Sequence, residues 1–130
     1  MLEDMPRSMG EVFTALKVHG PRGSAELPRV LVDTGAIHSM ITRSLAERLG
    51  IEPEGSAIFD IIGGDLELPM GTAVLEIEGR SFRVPVILGD QNLVGLTTLE
   101  TLLFAVDPTT ERLVPRHGVL FTSPEVSMEA

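Results

Sequence analysis

An aspartate at the end of an apolar run is the residue of this chain whose position first suggests chemistry. In the stretch RVLVDTGAIHSM, residues 29–40, the run Val30-Leu31-Val32 predicts a buried strand, and Asp33 follows it directly before a turn. A carboxylate is costly to bury unless hydrogen bonds or a partner stabilise it. Asp33 is therefore either a turn residue that bonds its own backbone two residues on, or an acid held there for its chemistry.

Three further features of the chain favour the chemical interpretation. The turn Thr34-Gly35-Ala36 is made of small residues, which let another backbone approach closely, and a Thr hydroxyl can bond across that gap. A second apolar element that ends in glycine, Leu93-Val94-Gly95, comes much later and leads into a predicted helix. Between the two lies a predicted hairpin with its tip at Gly63-Gly64.

The order of these elements resembles that of the retropepsin-like (retroviral-type) aspartic proteases. The resemblance covers roughly residues 11–115 and rests on LVDTGA and on VILGDQNLVGLTTLETLLFAVDPTTERLVP, whose pattern is similar to bacterial and retrotransposon members. A predicted helix over residues 42–49 also favours such members over the viral enzymes. The resemblance implies a mainly β, single-lobe fold, a closed β-barrel or sandwich with one or two short helices, that pairs as a two-fold homodimer.

The implied activity is hydrolysis of peptide bonds by two carboxyl groups that share one proton, one acting as base and the other as acid. Only one Asp-Thr-Gly occurs in the chain, and the other aspartates of the predicted domain stand in FDI, GGD, LGD and VDP. Each chain would thus supply one acid, Asp33, and a two-fold axis would bring the two copies together. The expected partners are a second copy of the chain and a peptide or protein substrate, and no cofactor is expected.

The resemblance also assigns roles around Asp33. Thr34 would bond the partner's active-site loop, Gly35 would contact substrate backbone, and Leu93-Val94-Gly95 would support the turn. The flap and substrate-binding residues would be Ile62, Gly63, Gly64 and Asp65 at the hairpin tip, with Ile37 and His38 beside the turn. A cleft that includes Ile37, Ile62 and Met70 would favour apolar side chains of the substrate.

The sequence departs from the viral pattern in three places. The hairpin between Ile58 and Met70 is shorter than a viral flap, and Ile37 stands where viral enzymes have a second aspartate that grips substrate backbone. Residues beyond Pro115 extend past the usual end, so that the strands that join viral dimers are not evident. The short hairpin predicts incomplete closure over the substrate, or closure by another loop, and Ile37 predicts the loss of that substrate contact. The C-terminal difference predicts a dimer interface that differs from the viral one.

The rest of the chain predicts short strands and tight turns that position these residues. Two helices are predicted. The first begins at Thr42 and ends at Gly50, and the second begins with a Thr97–Glu100 capping box and continues to about Leu103. Strands are predicted at 11–19 and 28–32, after the turn Glu78-Gly79, and on both sides of Asp107-Pro108. Two more are predicted on both sides of Gly63-Gly64, the second of them with an interruption near Pro69 and Gly71. Residues 89–92 are predicted to form a polar loop.

Composition limits the other possibilities. The 130 residues predict one domain over residues 11–121, between a flexible leader over 1–10 and a flexible tail over 122–130. A net charge of -9 with no Trp or Tyr argues against nucleic acid as a partner, and no apolar run is long enough to span a membrane. Without cysteine or a signal-peptide pattern, the expected location is cytoplasmic.

Some residues keep a second interpretation. His38 either borders the cleft or tunes the acid pair, or it is a structural hydrogen-bonding residue, and Ser39 is expected to bond local backbone. His19, His38 and His117 lack the spacing of metal ligands, so no metal site is expected. The rival to catalysis is a dimerisation or peptide-binding module that keeps this fold without the activity.

Overall fold

The computed structural model describes residues 11–118, which form nine strands and two short helices. The strands are β1 Val12–Gly20, β2 Gly23–Val32, β3 Ser39–Thr42, β4 Gly55–Ile61, β5 Gly64–Ile77, β6 Arg80–Gly89, β7 Leu93–Val94, β8 Phe104–Asp107 and β9 Arg112–Pro115, and the helices are α1 Arg43–Leu49 and α2 Leu96–Leu102. The predicted leader over residues 1–10 and the predicted tail over 122–130 lie outside the described residues. Neither described helix is long and apolar enough to cross a membrane.

Six of the strands close into a barrel. One sheet has the order β1-β2-β7-β3-β6-β5-β4, and β1 pairs a second time with β5, where residues 17–19 lie opposite residues 74–76. Strand β4 lies outside this closure and forms a hairpin with the first half of β5. Strands β8 and β9 form a separate antiparallel pair. The mainly β, closed-barrel fold with two short helices confirms the predicted fold class.

Apolar side chains, which alternate with polar ones along the strands, fill the interior of the barrel. Successive side chains of a strand point to opposite faces, and in β5 it is Ala73, Leu75 and Ile77 that are buried. Helix α1 covers one end with Leu45 and Leu49, which lie four positions apart on one face. Burial of each such Leu or Ile contributes about 1.5–3 kcal/mol, so the core orders the strand ends that carry the polar residues described below.

Hydrogen bonds between side chains join three strands where the barrel closes. His19 of β1 bonds Ser24 Oγ of β2 through Nδ1 at 2.6 Å and Glu76 Oε1 of β5 through Nε2 at 2.9 Å. Ser24 lies directly opposite His19 in the β1–β2 register, which places the two side chains on the same face. His19 therefore has a structural role in this part of the barrel.

Several local predictions agree with the structure. Helix α1 begins after Thr42, whose Oγ1 accepts a hydrogen bond from the Leu45 N–H at 3.2 Å, and it ends at Gly50 with φ of 75°. The turn Glu78-Gly79 joins β5 to β6, and both residues have the positive φ, 49° and 83°, that a two-residue hairpin turn favours. The turn after Asp107 joins β8 to β9.

The hairpin between β4 and β5 differs from the prediction in two respects. Its turn consists of Ile62-Gly63, because Gly64 is already paired with Ile61 and belongs to β5. Strand β5 also continues through Pro69 without the predicted interruption. Up to Pro69 it pairs only with β4, and its other edge has no partner strand in the described chain, so the proline removes no hydrogen bond on that unpaired edge. Strand β2 likewise begins at Gly23, earlier than predicted, because it pairs with β1 along its whole length.

The predicted capping box of Thr97 and Glu100 is wrong. Helix α2 begins at Leu96, and its N-cap is Gly95, which has no side chain to accept a hydrogen bond. Two of the first N–H groups of the helix donate instead to backbone carbonyls of residues 36 and 37, so that the turn after Asp33 takes the place of a capping side chain.

Candidate active site

Asp33 stands at the end of β2, where a parallel strand fixes its backbone. Strand β7 pairs with β2 through Leu31 opposite Leu93 and Val32 opposite Val94. The Asp33 N–H continues this ladder by donating to the Val94 carbonyl at 2.8 Å, and the Asp33 carbonyl accepts from the Ala36 N–H at 3.1 Å. The strand pair and the turn thus hold the Asp33 backbone from both sides.

The carboxylate of Asp33 bonds the turn that follows it. Its Oδ1 accepts a hydrogen bond from the Gly35 N–H at 2.9 Å, and among residues 11–118 this is the only hydrogen bond to the carboxylate. A Cβ on Gly35 would lie 3.2 Å from the same Oδ1, so a larger residue would crowd the acid. Asp33 is half-buried and has no basic side chain paired with it in the described chain. One carboxylate oxygen is thereby fixed, and the other is left for another group.

The residues after Asp33 present different groups to solvent. Thr34 and Gly35 are exposed, and the Thr34 hydroxyl has no hydrogen-bond partner among the described residues. The Ile37 side chain is 65% exposed. His38 is half-buried, and its Nδ1 is buried without a hydrogen-bond partner in the described part of the chain. Thr34 and Ile37 are thus free to contact a second molecule.

Helix α2 docks directly on this turn. The Ala36 carbonyl accepts from the Leu96 N–H at 2.8 Å, and the Ile37 carbonyl accepts from the Thr97 N–H at 2.9 Å. Gly95 is needed at this contact, because a Cβ there would lie only 2.5 Å from the carbonyl carbon of His38. The structure therefore brings Leu93-Val94-Gly95 and the Asp33 turn into one unit.

A buried pair of hydroxyl groups lies beneath the turn. Ser39 Oγ accepts from the Gly95 N–H at 2.9 Å and lies 2.6 Å from Thr98 Oγ1, and both residues are almost fully buried. Ser39 was expected to bond local backbone, but its partners are far away in the sequence. Thr98 was not identified from the sequence; a serine at the start of an apolar strand, in Ser39-Met40-Ile41, was the only available signal.

The predicted flap residues lie at the tip of the β4–β5 hairpin. Ile62 is fully exposed in the turn, and Ile61 next to it is 50% exposed. Gly63, Gly64 and Asp65 are exposed as well, and no hydrogen bond joins residues 62–65 to the Asp33 turn in the described chain. Met70 lies at the base of the hairpin, opposite Gly55 and Ile87, rather than at its tip. The hairpin is thus a separate element, anchored at its base and unsupported at its apolar tip.

A single chain does not enclose Asp33. Two cavities of about 560 and 570 Å³ among residues 11–118 are lined by other residues: the first lies beside helix α1, and the second lies between β1 and the β8–β9 pair. Asp33 is instead half-buried, with exposed Thr34, Gly35 and Ile37 beside it in the chain. The arrangement in one chain is a fixed carboxylate on an open surface, a group that can bind or transfer a proton once a second molecule covers it.

Comparisons with known proteins agree with this geometry. The sequence profile of a family described as aspartyl protease matches residues 16–98. No curated protein matches the chain. Among solved structures, the EIAV protease in complex with an inhibitor is similar to the chain, with a TM-score of 0.53 and 22% identity over 71% of this chain and 88% of that one. The simian foamy virus (mac) protease in solution has a TM-score of 0.52 and 14% identity over 69% of this chain and 93% of that one.

The two kinds of comparison carry different weight. At such low identity the solved structures show a shared fold, that of the retroviral proteases. The family profile spans both the Asp33 turn and the Leu93-Val94-Gly95 element that supports it. The chain therefore belongs to the aspartyl protease family and has a retropepsin-like fold.

Proposed function

We propose that this chain is an aspartic endopeptidase whose active site forms when two copies bring their Asp33 carboxyl groups together. The observation that carries the proposal is the half-buried Asp33 carboxylate, which accepts a hydrogen bond from the Gly35 N–H at 2.9 Å and is followed by the exposed residues Thr34 and Gly35. No second Asp-Thr-Gly is present in the sequence. A catalytic pair of carboxyl groups therefore requires a second chain.

Close approach of the two carboxyl groups explains why the turn is small. Two carboxylates about 3 Å apart cannot both be ionised, so the pair shares one proton. Exposed Thr34 and Gly35 flank Asp33 without bulky side chains, and the Thr34 hydroxyl is available for a hydrogen bond to the partner's turn. The turn thus fits a site on a two-fold axis.

The reaction we propose is general acid–base hydrolysis without a covalent intermediate. A water molecule between the two Asp33 carboxyl groups loses a proton to the ionised one and attacks the scissile carbonyl carbon. The protonated carboxyl group donates a hydrogen bond to the developing oxyanion, and a proton then passes to the leaving amine. Two hydrogen bonds hold Asp33 in place while these protons move. The Gly35 N–H donates to Asp33 Oδ1, and the Asp33 N–H donates to the Val94 carbonyl.

The hairpin tip would cover a peptide that is bound at Asp33. Fully exposed Ile62 and half-exposed Ile61 would pack on a bound peptide and exclude water, with Gly63 and Gly64 allowing the tip to move. Ile37 would border the same cleft. These apolar side chains favour substrates with apolar residues next to the scissile bond.

Digestion of a mixed peptide library by wild type and Asp33→Asn, across a range of pH, tests the proposal. Wild type should cleave with a bell-shaped pH dependence whose optimum is acidic to mildly acidic, because the site needs one proton shared by two carboxyl groups. Asp33→Asn keeps the size and the hydrogen-bond acceptor of the side chain, so it should fold and dimerise while losing cleavage by at least about a thousandfold.

The outcomes separate catalysis from its rival. Equal cleavage by wild type and Asp33→Asn would refute a catalytic Asp33. Binding of library peptides without cleavage at any pH would instead support a peptide-binding module with the same fold.

A further inference from the structure

The two segments that build the site around Asp33 contain no charged residue. Residues 34–42 and residues 91–99 lack Lys, Arg, Asp and Glu, although the whole chain has 10 basic and 19 acidic residues. The first segment is the turn and β3, and the second is β7 with the start of α2. Asp33, which directly precedes the first segment, is thus the acidic group placed next to these uncharged residues.

Two apolar side chains are exposed on this uncharged surface. Ile37 is 65% exposed and Leu96 is 37% exposed. Their backbones are joined at the docking of α2, since the Leu96 N–H donates to the carbonyl of Ala36 and the next N–H donates to that of Ile37. We call these two residues the Ile37–Leu96 patch. It lies close to Asp33 along the chain, and neither residue belongs to the cluster of buried core residues.

We propose that the Ile37–Leu96 patch is an apolar contact between two copies of this chain, a proposal that rests on the proposed function. A shared proton requires the two-fold axis to pass between the Asp33 side chains, so residues of the same turn lie next to that axis in both copies. Ile37 belongs to that turn, and Leu96 is bonded to it. The second copy therefore contacts the patch when the acid pair forms, while Ile37 still borders the cleft.

Two-fold symmetry explains why this surface carries no charge. At a two-fold interface the same surface of each copy takes part, so a charged group near the axis meets its own equivalent. Each copy has a net charge of -9, which already opposes association. Uncharged residues around the axis avoid additional repulsion, and burial of exposed Ile and Leu favours association.

An apolar contact predicts a definite response to salt. Ion pairs across an interface weaken as salt screens them, whereas burial of apolar side chains does not depend on screening. Screening also reduces the repulsion between two copies of charge -9. The dimer should therefore become tighter, not weaker, when NaCl is raised from about 0.05 M to about 0.5 M.

Sedimentation of the full chain tests the patch, with wild type, Ile37→Glu, Leu96→Glu and the control Phe82→Glu. Each of the first two variants places one new carboxylate per copy beside the axis, so the dimer Kd should rise by at least about a hundredfold. Both positions should tolerate Glu in the folded chain, because Ile37 is exposed and Leu96 is the first residue of α2, where an acid is favourable.

Phe82→Glu is the matched control. Phe82 is an apolar residue of β6 that is 61% exposed, and it precedes the stretch of β6, residues 86–89, that pairs with β3. It adds the same charge to the chain at a place outside the uncharged surface. Its dimer Kd should stay within about threefold of the wild-type value. Circular dichroism melting of all four proteins shows whether each is folded.

The outcomes distinguish this inference from the proposed function. If folded Ile37→Glu and Leu96→Glu dimerise as wild type does while wild type cleaves peptide, the patch is not the contact and the catalytic proposal stands. A wild-type dimer that weakens as salt rises would also overturn an apolar contact. A wild-type chain that cleaves peptide as a monomer at every concentration would overturn the two-chain site, and the inference with it.

Discussion

At the scale of single residues, the motif points to Asp33 as the candidate acid but does not predict which residues support it. Asp33, Thr34 and Gly35 follow from LVDTGA because their types and order are specific, and the structure places the carboxylate at a fixed, open position. The Ser39–Thr98 pair was not predicted. Its two hydroxyl groups are 59 residues apart in the sequence and meet only because α2 docks on β3. A polar residue in a buried strand has a partner, but the sequence alone does not identify it.

Ser39→Ala should destabilise the chain more than Thr98→Val does. The first removes the acceptor of the Gly95 N–H and leaves that buried group unpaired, at a cost of about 1–3 kcal/mol in the free energy of unfolding. The second keeps this bond, and its cost should be about 1 kcal/mol. Urea unfolding at one fixed protein concentration measures both. Equal loss in the two variants would contradict the role given to the Ser39–Gly95 bond.

At the scale of elements, sequence rules succeeded where a local signal decides the structure. The caps of α1 and the turn Glu78-Gly79 depend on neighbouring residues alone, and both agree with the prediction. The start of α2 was predicted wrongly, because its first N–H groups donate to the distant carbonyls of Ala36 and Ile37. A sequence search for a capping side chain cannot detect a cap made of backbone from elsewhere in the fold.

Thr42→Ala and Thr97→Ala form a matched pair that tests these two helix starts. Thr42→Ala removes the side-chain cap of α1 and should lower the free energy of unfolding by about 1 kcal/mol. Thr97 has no side-chain hydrogen bond in the described chain, and Thr97→Ala keeps its N–H, so its effect should stay within about 0.5 kcal/mol. A cost at Thr97 as large as that at Thr42 would restore the capping box.

At the scale of the whole molecule, charge and symmetry act together. The net charge of -9 opposes self-association, whereas the proposed catalysis with a single Asp-Thr-Gly per chain requires it. In the proposed dimer, the uncharged segments around Asp33, with exposed Ile37 and Leu96, would accommodate both the charge and the association. The fold class could be predicted from the motif and the order of the elements, whereas the need for a second chain stays a prediction that rests on the single motif. The positions of Leu96 and of the hairpin tip depend on the assembled barrel.

The central claim is that one Asp33 is half of a catalytic site, and mixing wild type with Asp33→Asn tests it most directly. Wild type is held at one concentration above its dimer Kd, and a tenfold excess of the variant is added and allowed to exchange. Most wild-type chains then pair with a variant chain, so peptide cleavage should fall by roughly tenfold. Cleavage that does not change as the variant is added would show that each chain carries a complete site, and would contradict the account.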